Sequence, residues 1–202
     1  GTEPAAVDPA PPAGLPDRSR LARPMQLDHY VHTLGRHLKA RFDERVHKLA
    51  LNAAFTCPNR DGTLGRGGCT FCNVRAFSRT ADIPLAEQLQ QAKTGADRAR
   101  KYLAYFQAYT NTYAEVATLR GLYKAALTSA DVVGLCVGTR PDCVPDAVLD
   151  LLAGYRDQGY EVWLELGLQS ACDETLARIN RGHGWAAYAD AVRRARLRGL
   201  AV

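Results

Sequence analysis

The sequence lacks any long hydrophobic run. No apolar stretch in its 202 residues approaches the roughly 20 residues that a membrane-spanning helix needs. Its first residues are acidic and rich in proline, whereas a secretory signal would be basic and then apolar. With 47% hydrophobic and 23% charged residues, the composition also excludes collagen-like, mucin-like and wholly disordered chains. We therefore expect a globular cytoplasmic protein of about one domain with no membrane partner.

Cysteine is too sparse for a secreted disulfide scaffold. Such scaffolds are shorter and denser in cysteine, because they replace a hydrophobic core that a chain of this length has room to build. The six cysteines are Cys57, Cys69, Cys72, Cys136, Cys143 and Cys172. Metal binding or redox chemistry is therefore the more frequent use of cysteine in a chain of this kind.

The net charge of +5 is unevenly distributed. Residues 18–48 and residues 178–202 each carry +5, whereas residues 1–17 carry −3 and residues 49–177 carry −2. Two basic segments are compatible with a polyanionic partner such as RNA, and solvated helix faces give the same pattern.

The N-terminal segment differs in composition from the rest. Six of the ten prolines lie in the first 24 residues, with few apolar side chains to bury. We expect residues 1–26 to form a disordered Pro-rich tail and residues 27–202 to fold. Because the chain has no initiator Met and ends on Leu200-Ala201-Val202, where a new strand would open, we expect a fragment.

Strands and helices alternate after an amphipathic helix over 27–42. Apolar runs predict strands over 47–55, 103–110, 131–137 and 160–168, and helical periodicity predicts helices over 84–102, 115–127, 144–158, 173–179 and 185–198. The strands are apolar on both faces and the connections are too long for hairpins. This pattern is typical of a parallel sheet covered by helices, either open and doubly wound or closed into a barrel. In both, chemistry lies at the carboxyl ends of the strands.

Three cysteines share one loop after the first strand, in the pattern Cys-x11-Cys-x2-Cys. Four glycines separate Cys57 from Cys69, so the loop can fold back and bring both sulfurs close to Cys72. Three thiolates would leave one position of an iron–sulfur cluster open for a small molecule. On spacing alone, a zinc site that borrows Cys143 or His183 is equally supported.

The sequence motifs around these cysteines distinguish the iron–sulfur cluster from the zinc site. Six segments occur in the order and form found in radical S-adenosylmethionine (SAM) proteins: 47–52, 55–63, 67–73, 105–112, 138–142 and 165–170. Over roughly residues 27–200, the chain resembles the Elp3-like branch of these proteins, and within it the bacterial family represented by YhcC and YtqA. The turn at 182–184 after Asn180-Arg181 resembles a family segment too.

The resemblance implies a partial TIM-type (β/α)6 barrel, truncated here after about four strands. It also implies a [4Fe-4S] cluster that cleaves SAM reductively, with flavodoxin or ferredoxin as electron donor and a tRNA wobble uridine as substrate. Residues 27–202 would be the N-terminal portion of this radical SAM core. An isolated portion would leave one side of the SAM pocket open, so we expect it to bind a cluster poorly and to be inactive alone. The alternative is a zinc-stabilised RNA-binding module without catalysis.

The resemblance also implies which residues hold the cofactors. Cys57, Cys69 and Cys72 match the cluster ligands. Phe71 matches an aromatic position near the SAM adenine, although a Phe buried under the loop would need no ligand. Asn111 and Thr112 stand where a glycine-rich segment of the superfamily usually meets the SAM amino group, but this chain lacks its common Gly-Gly-Glu form.

Other SAM contacts follow from position and chemistry. Arg140 offers a two-pronged donor for a carboxylate, or it pairs with Asp142. Glu165 lies in an apolar strand, where a carboxylate must be paired or bind something. Gln169, with Ser170, could reach the ribose hydroxyls. The sequence assigns no role to four other residues of interest: Lys48, Asn52, Cys143 and His183.

Overall fold

The structure is a computed structural model that describes residues 29–73, 82–96 and 98–202. Its strands are β1 (Val46–Leu51), β2 (Lys101–Phe106), β3 (Val132–Thr139) and β4 (Glu161–Leu166). Its helices are α1 (Leu34–Phe42), α2 (Pro58–Asp61), α3 (Leu85–Thr94), α4 (Val116–Ala126), α5 (Asp146–Asp157), α6 (Asp173–Arg178) and α7 (Trp185–Leu197), with a 3-10 turn at Pro141–Cys143. The predicted tail over 1–26 lies outside the described residues.

The four strands form one parallel sheet in the order β1-β2-β3-β4. In a doubly wound sheet, the strand order changes direction once, because later strands are added at the opposite edge of the first strand. In a barrel, each new strand is added beside the previous one. A parallel bridge between Trp163 and Ala201 continues the order beyond α7, and Leu164 N donates to Ala201 O at 2.9 Å. The fold is therefore the α/β arrangement of a partial TIM-type barrel, as the sequence predicts.

The outer face of the sheet is apolar and carries most of the helices. Alternate residues of each strand point outward into one core, as the two-residue period of a strand requires. This core joins Leu49, Phe106, Leu135, Val137 and Leu164 of the strands to Leu89, Leu119, Leu149, Leu152, Ala191 and Ala195 of α3, α4, α5 and α7. Within the described residues, no helix is long and apolar enough to cross a membrane.

The inner face carries α1 near the beginning of the strands. Leu38 of this helix packs with Leu103 and Cys136 in a second, smaller core. Arg41 pairs with Glu161, the first residue of β4, at 2.7 Å. α1 thus lies at the N-terminal end of the sheet and leaves the carboxyl ends of the strands free.

Several predicted boundaries are wrong, since α1 begins at Leu34 instead of residue 27 and β2 ends at Phe106 instead of residue 110. At two further boundaries, tertiary contacts override the local pattern. The predicted helix over 84–102 ends at Thr94, since sheet pairing starts at Lys101 and Tyr102 N donates to Asp131 O at 2.8 Å. The first strand ends at Leu51 instead of residue 55. At the next residue, Asn52, the main chain pairs with a side chain instead of a strand. Asn52 N donates to Gln88 Oε1, and Gln88 Nε2 donates to Asn52 O, each at 2.8 Å.

Candidate active site

A cavity of about 410 Å³ opens at the carboxyl ends of the strands. It brings together residues that are far apart in the sequence, most of them from the ends of strands or the loops that follow strands. Seven predicted site residues line it: Cys57, Cys69, Phe71, Cys72, Arg140, Glu165 and Gln169. The position agrees with the rule that chemistry in parallel α/β folds lies at this end of the sheet.

The cysteine loop folds back on itself through its glycines. Gly62, Gly67 and Gly68 have φ angles of 100°, 87° and 83°, which side chains rarely adopt. The return is fixed by the main chain, where Gly68 N donates to Asn59 O at 2.9 Å. As the glycine-rich spacing predicts, Cys69 therefore lies beside the same cavity as Cys57.

Nitrogen donors surround two of the three sulfurs. Asn59 Nδ2 lies 3.6 Å and Arg181 Nη1 lies 3.5 Å from Cys69 Sγ, and Arg60 Nη1 lies 3.6 Å from Cys72 Sγ. Donors of this kind around a metal-binding sulfur orient the ligand and hydrogen-bond to it when the metal is bound. All three cysteines are free of disulfides.

The donor set is compatible with an iron–sulfur cluster, which takes one thiolate per iron. Across 29–73, 82–96 and 98–202, no three His, Cys, Asp or Glu side chains are close enough to hold one metal ion. A [4Fe-4S] cluster distributes its thiolate ligands over separate irons, whereas one zinc ion needs its ligands gathered around a point. Cys143 and His183, the predicted alternative zinc ligands, do not line the cavity.

The Arg140 guanidinium is already paired. It forms a two-pronged ion pair with Asp142, with Nε–Oδ1 at 2.9 Å and Nη2–Oδ2 at 2.6 Å, and its Nη1 donates to Arg181 O at 2.8 Å. The residue is 2% exposed. Of the two alternatives that the sequence left open, the structure contains the ion pair, and a contact from Arg140 to a cofactor carboxylate stays a prediction.

Glu165 belongs to a charged cluster on the inner face of the sheet. Its carboxylate pairs with Lys48 Nζ, which lies 4.6 Å from the centroid of the Tyr105 ring. Burial, with a hydrogen bond and the negative charge of Glu165, raises the pKa of the Tyr105 hydroxyl. The cluster gives Lys48, which the sequence left unassigned, a defined place below the cavity.

Asn111 and Thr112 lie outside the cavity lining, and their side chains support the main chain. Asn111 Nδ2 donates to Phe106 O at 3.0 Å and to Gly138 O at 2.7 Å. The Thr112 hydroxyl contacts that of Thr139 at 2.6 Å. Their neighbours Tyr109 and Thr110 line the cavity instead, and the buried Thr110 Oγ1 has no hydrogen-bond partner within the described residues.

Phe71 and Gln169 stand at the edge of the cavity. The Phe71 ring is 51% exposed, so burial under the loop does not explain it. Gln169 is exposed, with a φ of 73° at the turn after β4. Their predicted contacts with the adenine and the ribose stay predictions.

Residues 179–181 take part in the site although only the glycine turn that follows them stood out in the sequence. Thr70 N donates to Ile179 O at 3.1 Å and Asn180 Nδ2 donates to Gly68 O at 2.8 Å, so this segment closes the cysteine loop. Arg181 lines the cavity itself. The glycines of 182–184 were the only local signal. His183, two residues after Arg181, is half-buried. Its burial and the positive charge of Arg181 lower the pKa of its imidazole.

Comparison with known proteins agrees with this geometry. Residues 57–202 match the model of the radical SAM superfamily. Protein YhcC of Escherichia coli (strain K12) is 60% identical over 180 residues, which cover 88% of this chain and 58% of that protein. The uncharacterized protein YtqA of Bacillus subtilis is 44% identical over 179 residues, 85% of this chain and 55% of its own. The uncharacterized protein MJ0486 of Methanocaldococcus jannaschii is 33% identical over 175 residues, which cover 83% of this chain and 53% of that protein.

The chain therefore spans little more than half the length of these relatives. They match the YhcC and YtqA resemblance seen in the sequence, while the Elp3-like branch stays a prediction. Because the family model covers the cysteine loop, the cavity and every strand after β1, the chain belongs to the radical SAM superfamily.

Proposed function

We propose that this chain binds a [4Fe-4S] cluster and SAM and cleaves SAM reductively. One observation carries the proposal: three cysteines from a single loop line a cavity at the carboxyl ends of a parallel sheet, with nitrogen donors on two of the sulfurs. When bound, the cluster supplies the electron that splits SAM into methionine and a 5′-deoxyadenosyl radical, which abstracts hydrogen from a substrate.

The protein's own part is to hold and orient. Cys57, Cys69 and Cys72 would hold three irons and leave the fourth without a protein ligand, open to the amino-acid end of SAM. Phe71 offers an exposed ring at the cavity edge for the adenine, and Gln169 offers an amide for the ribose. Each of these residues follows a strand, so the rigid sheet fixes their mutual positions.

The wider proposal is that the whole protein modifies the wobble uridine of tRNA, in the cytoplasm, with flavodoxin or ferredoxin as electron donor. It is supported by the resemblance to the Elp3-like branch and by the basic segment 18–48. Ion pairs reduce the charge that is free for RNA in both basic segments: Arg41 pairs with Glu161 and Lys48 with Glu165 in the first. In the second, Arg194 pairs with Asp190 at 2.6 Å and Arg198 with Asp150 at 2.6 Å.

The test of SAM cleavage uses anaerobic reconstitution with iron and sulfide, followed by dithionite and SAM. We expect 5′-deoxyadenosine by mass spectrometry, and a Cys69→Ala variant should lose it. Cys172→Ala is the matched control, because this thiol is exposed at the start of α6 and outside the cavity lining. A colourless protein that binds one zinc and releases no 5′-deoxyadenosine would favour the zinc-stabilised RNA-binding alternative.

The reconstitution is run on this chain and on the protein at its full natural length. We expect the shorter chain to hold less iron, since among the described residues the edge of β4 opposite β3 has a single bridge, to Ala201. Equal iron contents would contradict that expectation. The tRNA proposal is tested by mass spectrometry of tRNA nucleosides from a deletion strain, where an unchanged wobble uridine profile would refute it.

A further inference from the structure

Two buried arginines line the cavity, and only one of them has a carboxylate partner. Arg140 is paired with Asp142. Arg181 is 7% exposed and takes part in no ion pair within the part of the chain that the structure describes. A buried guanidinium without a counter-charge is costly, so its surroundings must supply negative charge when the site is complete.

The donors of Arg181 identify where that negative charge belongs. Nη1 lies 3.5 Å from Cys69 Sγ, and Nη2 donates to Gly167 O at 2.6 Å. Nε is buried and has no partner among the described residues. Of the groups that these donors contact, the Cys69 sulfur is the one that can carry a full negative charge, as a thiolate bound to iron.

We propose that Arg181 is a positioning residue that serves as the counter-charge of the Cys69 ligand and raises the reduction potential of the cluster. This inference rests on the proposed function. Hydrogen bonds and positive charge near a ligand sulfur favour the reduced cluster, which carries one more negative charge. The two residues are 112 positions apart in the sequence, so this contact lies outside the cysteine motif.

The shape of the guanidinium suits two partners at once. One nitrogen of its planar fork lies near the Cys69 sulfur, and another donates to the carbonyl of Gly167, the residue directly after β4. The single ammonium group of a lysine cannot make both contacts in this geometry. A Cβ added at Gly167 would lie 2.8 Å from Arg181 Nη2, so a glycine leaves the room that the guanidinium occupies. Arg181 thereby connects the cluster loop to the segment that carries Gln169.

Arg60 provides the matched comparison. Its Nη1 lies 3.6 Å from Cys72 Sγ, but the side chain is exposed and its charge is screened by water. Neutralising Arg60 should therefore shift the potential less than neutralising Arg181, although each removes one charge near one ligand sulfur.

The experiment measures iron and sulfide per chain and the midpoint potential of the reconstituted cluster by EPR-monitored redox titration. The proteins are the full-length wild type, Arg181→Gln, Arg181→Lys and Arg60→Gln. We expect a more negative potential in Arg181→Gln, a partial return in Arg181→Lys and a smaller shift in Arg60→Gln. Gly167→Ala displaces the guanidinium without removing it and should also lower the potential, which covers the case in which Arg181→Gln does not fold.

The outcomes separate this inference from the proposed function. A wild-type protein that takes up no cluster refutes the proposed function. If the wild type binds a cluster and the potential is unchanged in Arg181→Gln, the role of Arg181 is refuted and the proposed function is not. Where Arg181→Gln does not fold, an unchanged potential in Gly167→Ala refutes the same role. Equal shifts in Arg181→Gln and Arg60→Gln would show that net charge, and not the buried contact, sets the potential.

Discussion

The two faces of the sheet differ in what they bury. The outer face presents side chains such as Leu135 and Leu164, both fully buried under helices, in one continuous apolar core. The inner face holds Lys48, Glu165 and Glu161 among aromatic rings, and each of these charges has a partner. The two faces therefore have different roles. The outer face supplies stability, and the inner face can carry charge beside the cavity.

The largest expected effect comes from the outer face. Leu135→Ala removes a fully buried side chain and leaves a cavity between sheet and helices, so we expect a loss of about 2–5 kcal/mol in the free energy of unfolding. Urea denaturation followed by circular dichroism measures it. Leu197→Ala, at a position that is 75% exposed, is the control and should change stability by less than about 0.5 kcal/mol. Similar losses in both variants would contradict the division of tasks.

The inner face should make stability sensitive to alkaline pH. Burial raises the pKa of Cys136 from 9.0 to about 12, with the charges of Lys48 and Glu165 as smaller, opposing causes. The folded protein then holds a proton that the unfolded chain releases above about pH 9. Stability from this group is therefore complete below pH 9 and declines by about 1.4 kcal/mol per pH unit as pH rises toward 12.

Cys136→Ala removes this contribution, and the slope of unfolding free energy between pH 9 and pH 11 should become shallower. Slopes are compared because the substitution also changes packing, and other groups with raised pKa values, such as Cys143, titrate in both proteins. Cys172→Ala is the control, since its thiol is exposed and its pKa is lowered by hydrogen bonds to Thr175. Identical slopes in wild type and Cys136→Ala would mean that this thiol is not buried as described.

The smallest expected effect is the coupling of the inner ion pair. A double-mutant cycle with Lys48→Met and Glu165→Gln should give about 1 kcal/mol, because both side chains are partly shielded from water. The exposed pair Arg178–Glu174, at 74% and 83% side-chain exposure, should give about 0.3–0.5 kcal/mol. If the exposed pair coupled as strongly as the inner one, the inner face would have no special electrostatic character.

Much of the cavity could be predicted from the sequence because its parts are local patterns. Apolar runs predicted where the four strands lie, although two strand ends were misplaced by four residues, at Leu51 and Phe106. The Cys-x2-Cys spacing with glycines predicted the loop that Gly68 folds back. Arg140 was placed correctly, but its partner two residues later competes with any ligand, and only coordinates resolve that competition.

The rest depends on contacts between distant segments. Apart from the glycines of 182–184, nothing around Arg181 in the sequence indicates that it meets Cys69, because the contact joins residues 112 positions apart in the chain. Asn111 was assigned to the cofactor from the family resemblance, and only the fold reveals that its amide donates to the carbonyls of Phe106 and Gly138, near the ends of β2 and β3.

The central claim is that Cys57, Cys69 and Cys72 hold a cluster with an iron open to SAM, and EPR of the reduced, anaerobically reconstituted full-length protein tests it most directly. We predict about four irons and four sulfides per chain and a [4Fe-4S] signal that changes when SAM is added. A protein without an iron–sulfur signal, or with one that SAM leaves unaltered, would contradict the claim.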